Sequence, residues 1–354
     1  MDQPACRNRS LWLCEPEWSA HLRAELRQEF AQLDDQILSP GIISGRMDLS
    51  DLHATPSIAL ARQALPNVEA LTAESIAAWG ELIGQKLIER IPEGAGNWRL
   101  HLIGGAGADA PRPGRLKLID EALDDFLRRK QRRLRRTRAA DPAAAWSEAP
   151  ILAQAFFSSP TRGYLSVCLA DEREKLRRML SRHPGGIVPP AVDKSAPSRA
   201  FAKLVEALDE WGTNLQTGDR VVDLGASPGS WTWLALEQGA NVVAIDRSPL
   251  REDLMSEARC EFLSGDAFAY EPPQPVDWLL SDLIAFPERI IELLEKWLRQ
   301  GWCRQFCVTI KFRGDEDYPR LMEIKRLLGE RAGDFLLRRL NANKNEVTAV
   351  GKAK

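Results

Sequence analysis

The carboxyl-terminal half of the chain predicts an α/β fold, a mostly parallel sheet covered by helices on both faces. Strand-like and helical stretches alternate regularly from Ser198 onward, with strands near Val221, Val242, Phe262, Trp278 and Phe306. The stretch Glu288 to Gln300 places Ile290, Ile291, Leu294, Trp297 and Leu298 on one helical face. The β-branched run Val221-Val222-Asp223-Leu224 breaks into Gly225-Ala226-Ser227-Pro228-Gly229 and then a helical pattern, the form of a ligand crevice beyond the carboxyl end of a strand. Two last strand-like runs, Asp334 to Leu340 and Glu346 to Val350, are joined by Asn341-Ala342-Asn343-Lys344 and predict an antiparallel hairpin at the sheet edge, the sixth and seventh strands.

The preceding half is less regular. A short strand at Leu11 to Leu13, a helical pattern through Leu22, Leu26 and Phe30, and another from Ile76 to Ile88 predict a small α+β region over 1–90. A second region, 91–182, holds a strand at Trp98 to Ile103, an arginine-rich helix, and two β-like runs, Ala155 to Ser158 and Tyr164 to Ala170, joined by Pro160-Thr161-Arg162-Gly163 as a hairpin. The stretch 183–197, from His183-Pro184-Gly185-Gly186 to Pro197, reads as a linker or lid before the 198–354 domain. Within the arginine-rich helix, Arg128, Arg129, Arg132, Arg133 and Arg136 crowd a few turns, where like charges at i,i+3 and i,i+4 repel. Phosphates would offset that repulsion; a solvated, frayed helix end explains the run equally well.

With 354 residues and 44% hydrophobic content the chain has material for two or three domains with real cores. Its formal net charge of −2 rules out a polycation overall. No apolar run approaches the roughly 18 residues of a membrane span, and Met1-Asp2-Gln3-Pro4 lacks the form of a signal peptide, so a cytoplasmic protein is expected. The cysteines Cys6, Cys14, Cys168, Cys260, Cys303 and Cys307 lack metal-ligand spacing and predict buried free thiols, with no metal site.

What the glycine turn lacks narrows its ligand. It has no G-x-G-x-x-G for a dinucleotide and no Gly-Lys-Ser/Thr for a nucleoside triphosphate. Asp223 before the turn would repel a phosphate but suits an ammonium group. Asp246 ends the next strand, placed for ribose hydroxyls, and Asp266 follows the run Glu261-Phe262-Leu263, placed for an adenine edge. Singly, each acid reads as a solvated loop residue; on successive strand ends they favour S-adenosylmethionine, held by Asp223, Gly225, Ala226, Ser227, Pro228, Gly229, Trp231, Asp246, Asp266 and Asp282.

Four further charges stand at element ends: Lys203 off the apolar stripe of its helix, Asp282 after Trp278-Leu279-Leu280-Ser281, Lys311 after Val308-Thr309-Ile310, and Glu346 opening the last strand. Lys203 taken alone is an ordinary solvated lysine, and Glu346 a routine strand-edge acid. Asp282 and Lys311 stand where open α/β sheets do their chemistry.

These four residues resemble the lysine, aspartate, lysine, glutamate tetrad of the RNA 2'-O-ribose methyltransferases, and the glycine turn resembles that family's G-A-x-P-G-G, with Ser230 where a second glycine is usual. Ala196-Pro197-Ser198-Arg199, the stretch Trp297 to Arg304 with Gly301-Trp302-Cys303-Arg304, and Asn345-Glu346-Val347-Thr348 are similar to the M-type bacterial 23S ribosomal RNA cytidine 2'-O-methyltransferases. The resemblance implies a Rossmann-like methyltransferase with a seven-stranded sheet, preceded by a THUMP-like RNA-binding region. It further implies 23S ribosomal RNA as substrate before the large subunit is complete, and a monomer acting with Lys203, Asp282, Lys311 and Glu346 as catalytic residues. A base must take the proton of a ribose hydroxyl as it attacks a sulfonium methyl in line, and Lys311 is expected in that role, its proton loosened by Lys203 and the sulfonium charge. Outside enzymology, the same residues allow an RNA-binding assembly factor with a degenerate site.

Overall fold

The computed structural model describes residues 9–30, 33–47, 55–105 and 109–354; Met1-Asp2-Gln3-Pro4 and Cys6 lie outside them. The chain divides into two compact units, Met1–Ile187 and Val188–Lys354, and the division falls within the expected 183–197 linker.

The first unit runs β1 (Arg9–Leu13), α1 (Ser19–Glu29), β2 (Asp35–Ser39), β3 (Ile42–Arg46), β4 (Gln63–Thr72), α2 (Ile76–Arg90), β5 (Trp98–Gly104), α3 (Pro113–Lys130), α4 (Arg132–Thr137), β6 (Ile151–Phe157), β7 (Arg162–Cys168) and α5 (Ala170–Lys175). Its seven-stranded sheet has the order β2-β3-β1-β4-β7-β6-β5. The strand β4 holds this sheet together, pairing antiparallel with β1 through its first half and with β7 through its second. The sheet therefore runs without interruption across position 90/91, where sequence had suggested a boundary. The expected hairpin is the antiparallel pair β6–β7, with Arg162 and Gly163 already inside β7.

Helices α2 and α3 cover one face of this sheet, burying Trp79, Ile83, Leu87, Ile119, Leu123 and Leu127. They approach closely because α2 carries glycine at the contact: a Cβ on Gly80 would stand 2.6 Å from the Ala122 carbonyl carbon. The arginine-rich segment is not one helix. Gln131, at φ −150° and ψ 75°, ends α3 and turns α4 aside.

The second unit runs α6 (Phe201–Trp211), β8 (Arg220–Leu224), α7 (Ser230–Glu237), β9 (Asn241–Asp246), α8 (Glu252–Met255), β10 (Cys260–Ser264), β11 (Val276–Ser281), α9 (Pro287–Arg299), β12 (Cys303–Lys311), α10 (Arg320–Arg331), β13 (Ala332–Arg338) and β14 (Glu346–Ala353). Its sheet order is β10-β9-β8-β11-β12-β14-β13. The first five strands of that order are parallel, and β14 inserts antiparallel between β12 and β13. The last two strands are thus the expected hairpin, with β13 at the edge. The amphipathic α9 buries Ile290, Ile291, Leu294, Trp297 and Leu298, as its periodicity requires.

Since the methyl group of alanine at position 80 meets α3 backbone, Gly80→Ala should destabilise the first unit by about 1–3 kcal/mol. Gly114→Ala in the first turn of α3, where nothing lies within 4 Å, should leave it unchanged or stabilise it by up to about 1 kcal/mol. Thermal unfolding of the two variants checks the opposite signs.

Candidate active site

Parallel strands deliver their carboxyl ends to one edge of the sheet, and β14 adds its first residue to the same edge because it runs the other way. Its register pairs Lys311, the last residue of β12, with Glu346, the first of β14. Asp282 follows β11 directly, and Lys203 projects from the first turn of α6.

The four side chains meet. The Lys203 ammonium donates to both Asp282 carboxylate oxygens, at 3.2 Å and 3.1 Å, and pairs with Glu346 Oε1 at 2.7 Å. The Lys311 ammonium pairs with Asp282 Oδ1 at 3.0 Å and donates to the backbone carbonyls of Asp282 at 2.7 Å and Leu283 at 3.2 Å. One carboxylate oxygen thus serves both amines. Buried Glu346 also accepts from Asn343 Nδ2 at 3.3 Å.

Two buried acids dock α6 against the hairpin that carries Glu346. Glu206, one turn beyond Lys203, accepts from the backbone N–H of Asn341 and Ala342 and from Asn341 Nδ2. Glu210 pairs with Arg338, both side chains almost wholly buried. Burial raises the Glu206 carboxyl above its usual range against these hydrogen bonds.

Beside the tetrad a cleft of about 540 Å³ opens, of the size that holds a small organic ligand. Gly225, Asp246, Asp266, Leu283 and Lys311 are among the residues lining it. Gly225 has φ +78°, and a Cβ there would stand 2.4 Å from the Leu283 side chain, so glycine is required both for the turn and for the approach of the two loops. Asp246 closes the loop by accepting from Ser227 N–H at 3.0 Å and Ser248 N–H at 2.8 Å. The Asp266 carboxyl is held below its usual range by the Phe268 backbone N–H and by Arg247, 3.2 Å away.

Several sequence-predicted cofactor residues stand elsewhere. Asp223 is 1% exposed and accepts from Thr232 Oγ1 at 2.7 Å; it lies under the glycine loop and does not line the cleft. Burial pushes its carboxyl up to about 7, against the Thr232 hydrogen bond and with Asp282 and Asp246 adding to the rise. Trp231 is buried in the core, its Nε1 donating to the Ala200 carbonyl at 2.9 Å. Of the remaining loop, Ala226 and Gly229 are buried while Ser227 and Pro228 reach the surface. Ser230 is buried, and its hydroxyl lies 2.7 Å from that of Ser198, tying the loop to the segment that leads into Lys203.

Sequence reasoning missed the cleft residues that follow the strand-end acids within a few positions: Arg247, Phe268, and the run Leu283 to Phe286. The available signal was an apolar stretch in a strand-end loop after Asp282. The cysteines Cys14, Cys168, Cys303 and Cys307 are buried free thiols and Cys260 is half-buried; burial raises all five above their ordinary range. Cys307, inside β12, is fully buried, which removes it as a nucleophile.

In the first unit the arginine run is partly neutralised by acids of α3. Arg128 pairs with Asp125 at 2.7 Å, Arg135 with Asp124 at 2.8 Å and Arg138 with Asp120 at 2.5 Å, so phosphates are not needed to offset the whole run. Arg129 Nε donates to the Asp125 carbonyl and Arg133 to that of Pro92, while Arg132 and Arg136 are exposed. Among the described residues no helix is long and apolar enough to cross a membrane.

A carboxyl whose folded-state pKa is raised makes the folded state bind more protons, so its stability contribution is lost as pH rises from about 4 to about 7. Resistance to urea unfolding should therefore fall over that interval, and Asp223→Asn, which keeps an acceptor for Thr232, should flatten the slope relative to the parent. An unchanged slope would show that Asp223 is not the titrating group.

Comparison with known proteins agrees with this geometry. Residues 196–310 match the model of the FtsJ-like methyltransferase family. Proteins named ribosomal RNA large subunit methyltransferase M are similar to the chain: that of Cellvibrio japonicus at 36% identity over 181 residues (49% of this chain, 50% of the relative), that of Azoarcus sp. at 32% over 211 (56% of each), and that of Pseudomonas fluorescens Pf-5 at 40% over 151 (41% and 42%). The chain spans about half the length of the curated relatives it matches. The crystal structure of TrmN from Thermus thermophilus covers 97% of this chain and 99% of its own at 16% identity with a TM-score of 0.34, a likeness too slight to carry an argument. The second unit, with its seven-stranded sheet and its tetrad at the carboxyl edge, therefore has a Rossmann-like fold, and its residues 196–310 match the FtsJ-like methyltransferase family.

Proposed function

We propose that this protein methylates the 2'-hydroxyl of a ribose, that of a cytidine in 23S ribosomal RNA, with Lys311 as general base. The observation that carries the reading is the Asp282 carboxylate shared by two lysine ammoniums, of which that of Lys311 lines the cleft. S-adenosylmethionine, when bound, supplies an electrophilic methyl on a sulfonium. The donor set suits it: Asp246 and Asp266 offer acceptors for ribose hydroxyls and an adenine edge, and the glycine loop lets backbone approach without a Cβ.

The rest follows from this chain's own side chains. Lys311 is the tetrad amine that lines the cleft; Lys203 lies behind it between Asp282 and Glu346. Lys203 keeps Asp282 oriented and compensates its charge, and Asp282 with two backbone carbonyls aims the Lys311 nitrogen. Once neutral, that nitrogen can accept the hydroxyl proton as the sugar oxygen attacks. Arginine cannot lose its proton in this pH range, so Lys311→Arg preserves the charge and removes the base.

The name of the relatives, ribosomal RNA large subunit methyltransferase M, supports large-subunit ribosomal RNA as the substrate class. Action before subunit completion, by a monomer in the cytoplasm, completes the reading. A THUMP-like RNA-binding role falls to the first unit, where Arg128, Arg129, Arg132, Arg133 and Arg136 retain exposed or half-exposed guanidiniums that can meet phosphates.

Labelled S-adenosylmethionine, 23S ribosomal RNA and nuclease mapping test the reading. The parent chain should label one nucleotide, and Lys311→Arg should lose on the order of 10²–10⁴-fold in rate while still binding the cofactor. Full activity in Lys311→Arg removes the lysine base; label confined to small molecules removes the RNA substrate. Arg132→Glu with Arg136→Glu should weaken RNA binding and reduce its salt dependence without altering cofactor affinity, as a salt titration of RNA binding would show.

A further inference from the structure

The loop after Asp282 exposes apolar surface where a folded protein gains nothing by it. Ile284 is 92% exposed and Phe286 51% exposed, and both line the cleft that Lys311 lines. Phe286 stands immediately before Pro287, the first residue of α9, and the backbone carbonyls of Asp282 and Leu283 are pinned by the Lys311 ammonium, so the ring is held by a fixed loop. The Arg313 guanidinium stacks 4.1 Å from the Phe286 ring centroid. Asp317 Oδ2 accepts the Arg313 backbone N–H at 2.8 Å and lies 3.8 Å from its Nε.

A second stack of the same kind lies in the cleft, Arg289 at 3.9 Å from the Phe268 centroid, two residues from Asp266. The two stacks belong to different segments. Phe268 follows Asp266, which the proposed reading assigns to the adenosine, whereas Phe286 and Arg313 follow Asp282 and Lys311, which it assigns to the methyl acceptor. We propose that Phe286, backed by Arg313 and flanked by Ile284, is a stacking platform for a nucleobase of the RNA substrate, at the target nucleotide or its neighbour. The inference rests on the methyltransferase reading for the identity of the acceptor. Aromatic rings and arginine planes take unstacked bases in this way, because every base presents a π-face. Phe286 is a positioning residue here: it holds the base so that the attached ribose stays in front of Lys311.

Equilibrium binding, read without turnover, tests the platform separately from the reaction. Phe286→Ala should raise the dissociation constant of a large-subunit ribosomal RNA fragment about tenfold, with that of S-adenosylmethionine unchanged, and Phe286→Trp should restore RNA affinity. In otherwise identical fragments, each abasic at one position, the cost of Phe286→Ala should vanish at a single position, which an indirect folding effect would not produce. A loss of cofactor affinity would assign the ring to the adenosine instead. An unchanged RNA constant, or an equal loss in every abasic fragment, would overturn the platform. RNA binding with these properties but no methyl transfer would refute the proposed activity while leaving the platform intact.

Discussion

Two ammonium groups held to one carboxylate organise the second unit. Asp282 accepts from Lys203 on α6 and pairs with Lys311 on β12, and it does so at the margin of a cleft, with all three side chains largely shielded from water. A charge in such a place is costly unless paired, and removing one partner leaves the others uncompensated. The arrangement therefore requires every member, and it requires that a helix, two strands and a hairpin converge to within hydrogen-bonding distance.

The framework around the tetrad supplies that convergence through buried polar contacts. Glu206 and Glu210 bind α6 to the β13–β14 hairpin, and the hairpin's antiparallel entry sets Glu346 opposite Lys311. On the other side, Ser230 and Trp231 at the start of α7 reach the residues just before α6. The glycine loop and the lysine helix are consequently fixed to each other. Serine at position 230, where the resemblance led one to expect glycine, is accommodated because its hydroxyl has a partner in Ser198.

Much of this was legible in the chain because the signals are local. Alternating strands and helices, the glycine turn and charges at strand ends all appear within a few residues of one another, and they located the sheet, the cleft and all four tetrad members. Burial is a property of the whole fold, and local sequence does not report it. Asp223 has the same neighbours in sequence whether it faces a ligand or sits beneath the loop against Thr232, and only the packing of α7 over β8 decides it. Trp231 likewise follows the turn in sequence but points to the core. In the first unit, β4 was not anticipated; it contains Pro66, and Asn67 takes φ +48° inside the strand, where the pairing with β1 shifts register. The break at Gln131 lacks glycine or proline, so the arginine run read as one helix, and the acids of α3 that its folding back reaches were not anticipated.

In the proposed reaction Lys311, held by Asp282, deprotonates a ribose hydroxyl. The most direct measurement replaces the mapped nucleotide of the RNA with its 2'-deoxy counterpart and follows transfer of labelled methyl. The account predicts that RNA binding persists and methylation of that nucleotide ceases. Methyl transfer to the 2'-deoxy nucleotide at the parent rate would place the acceptor atom on the base and contradict it.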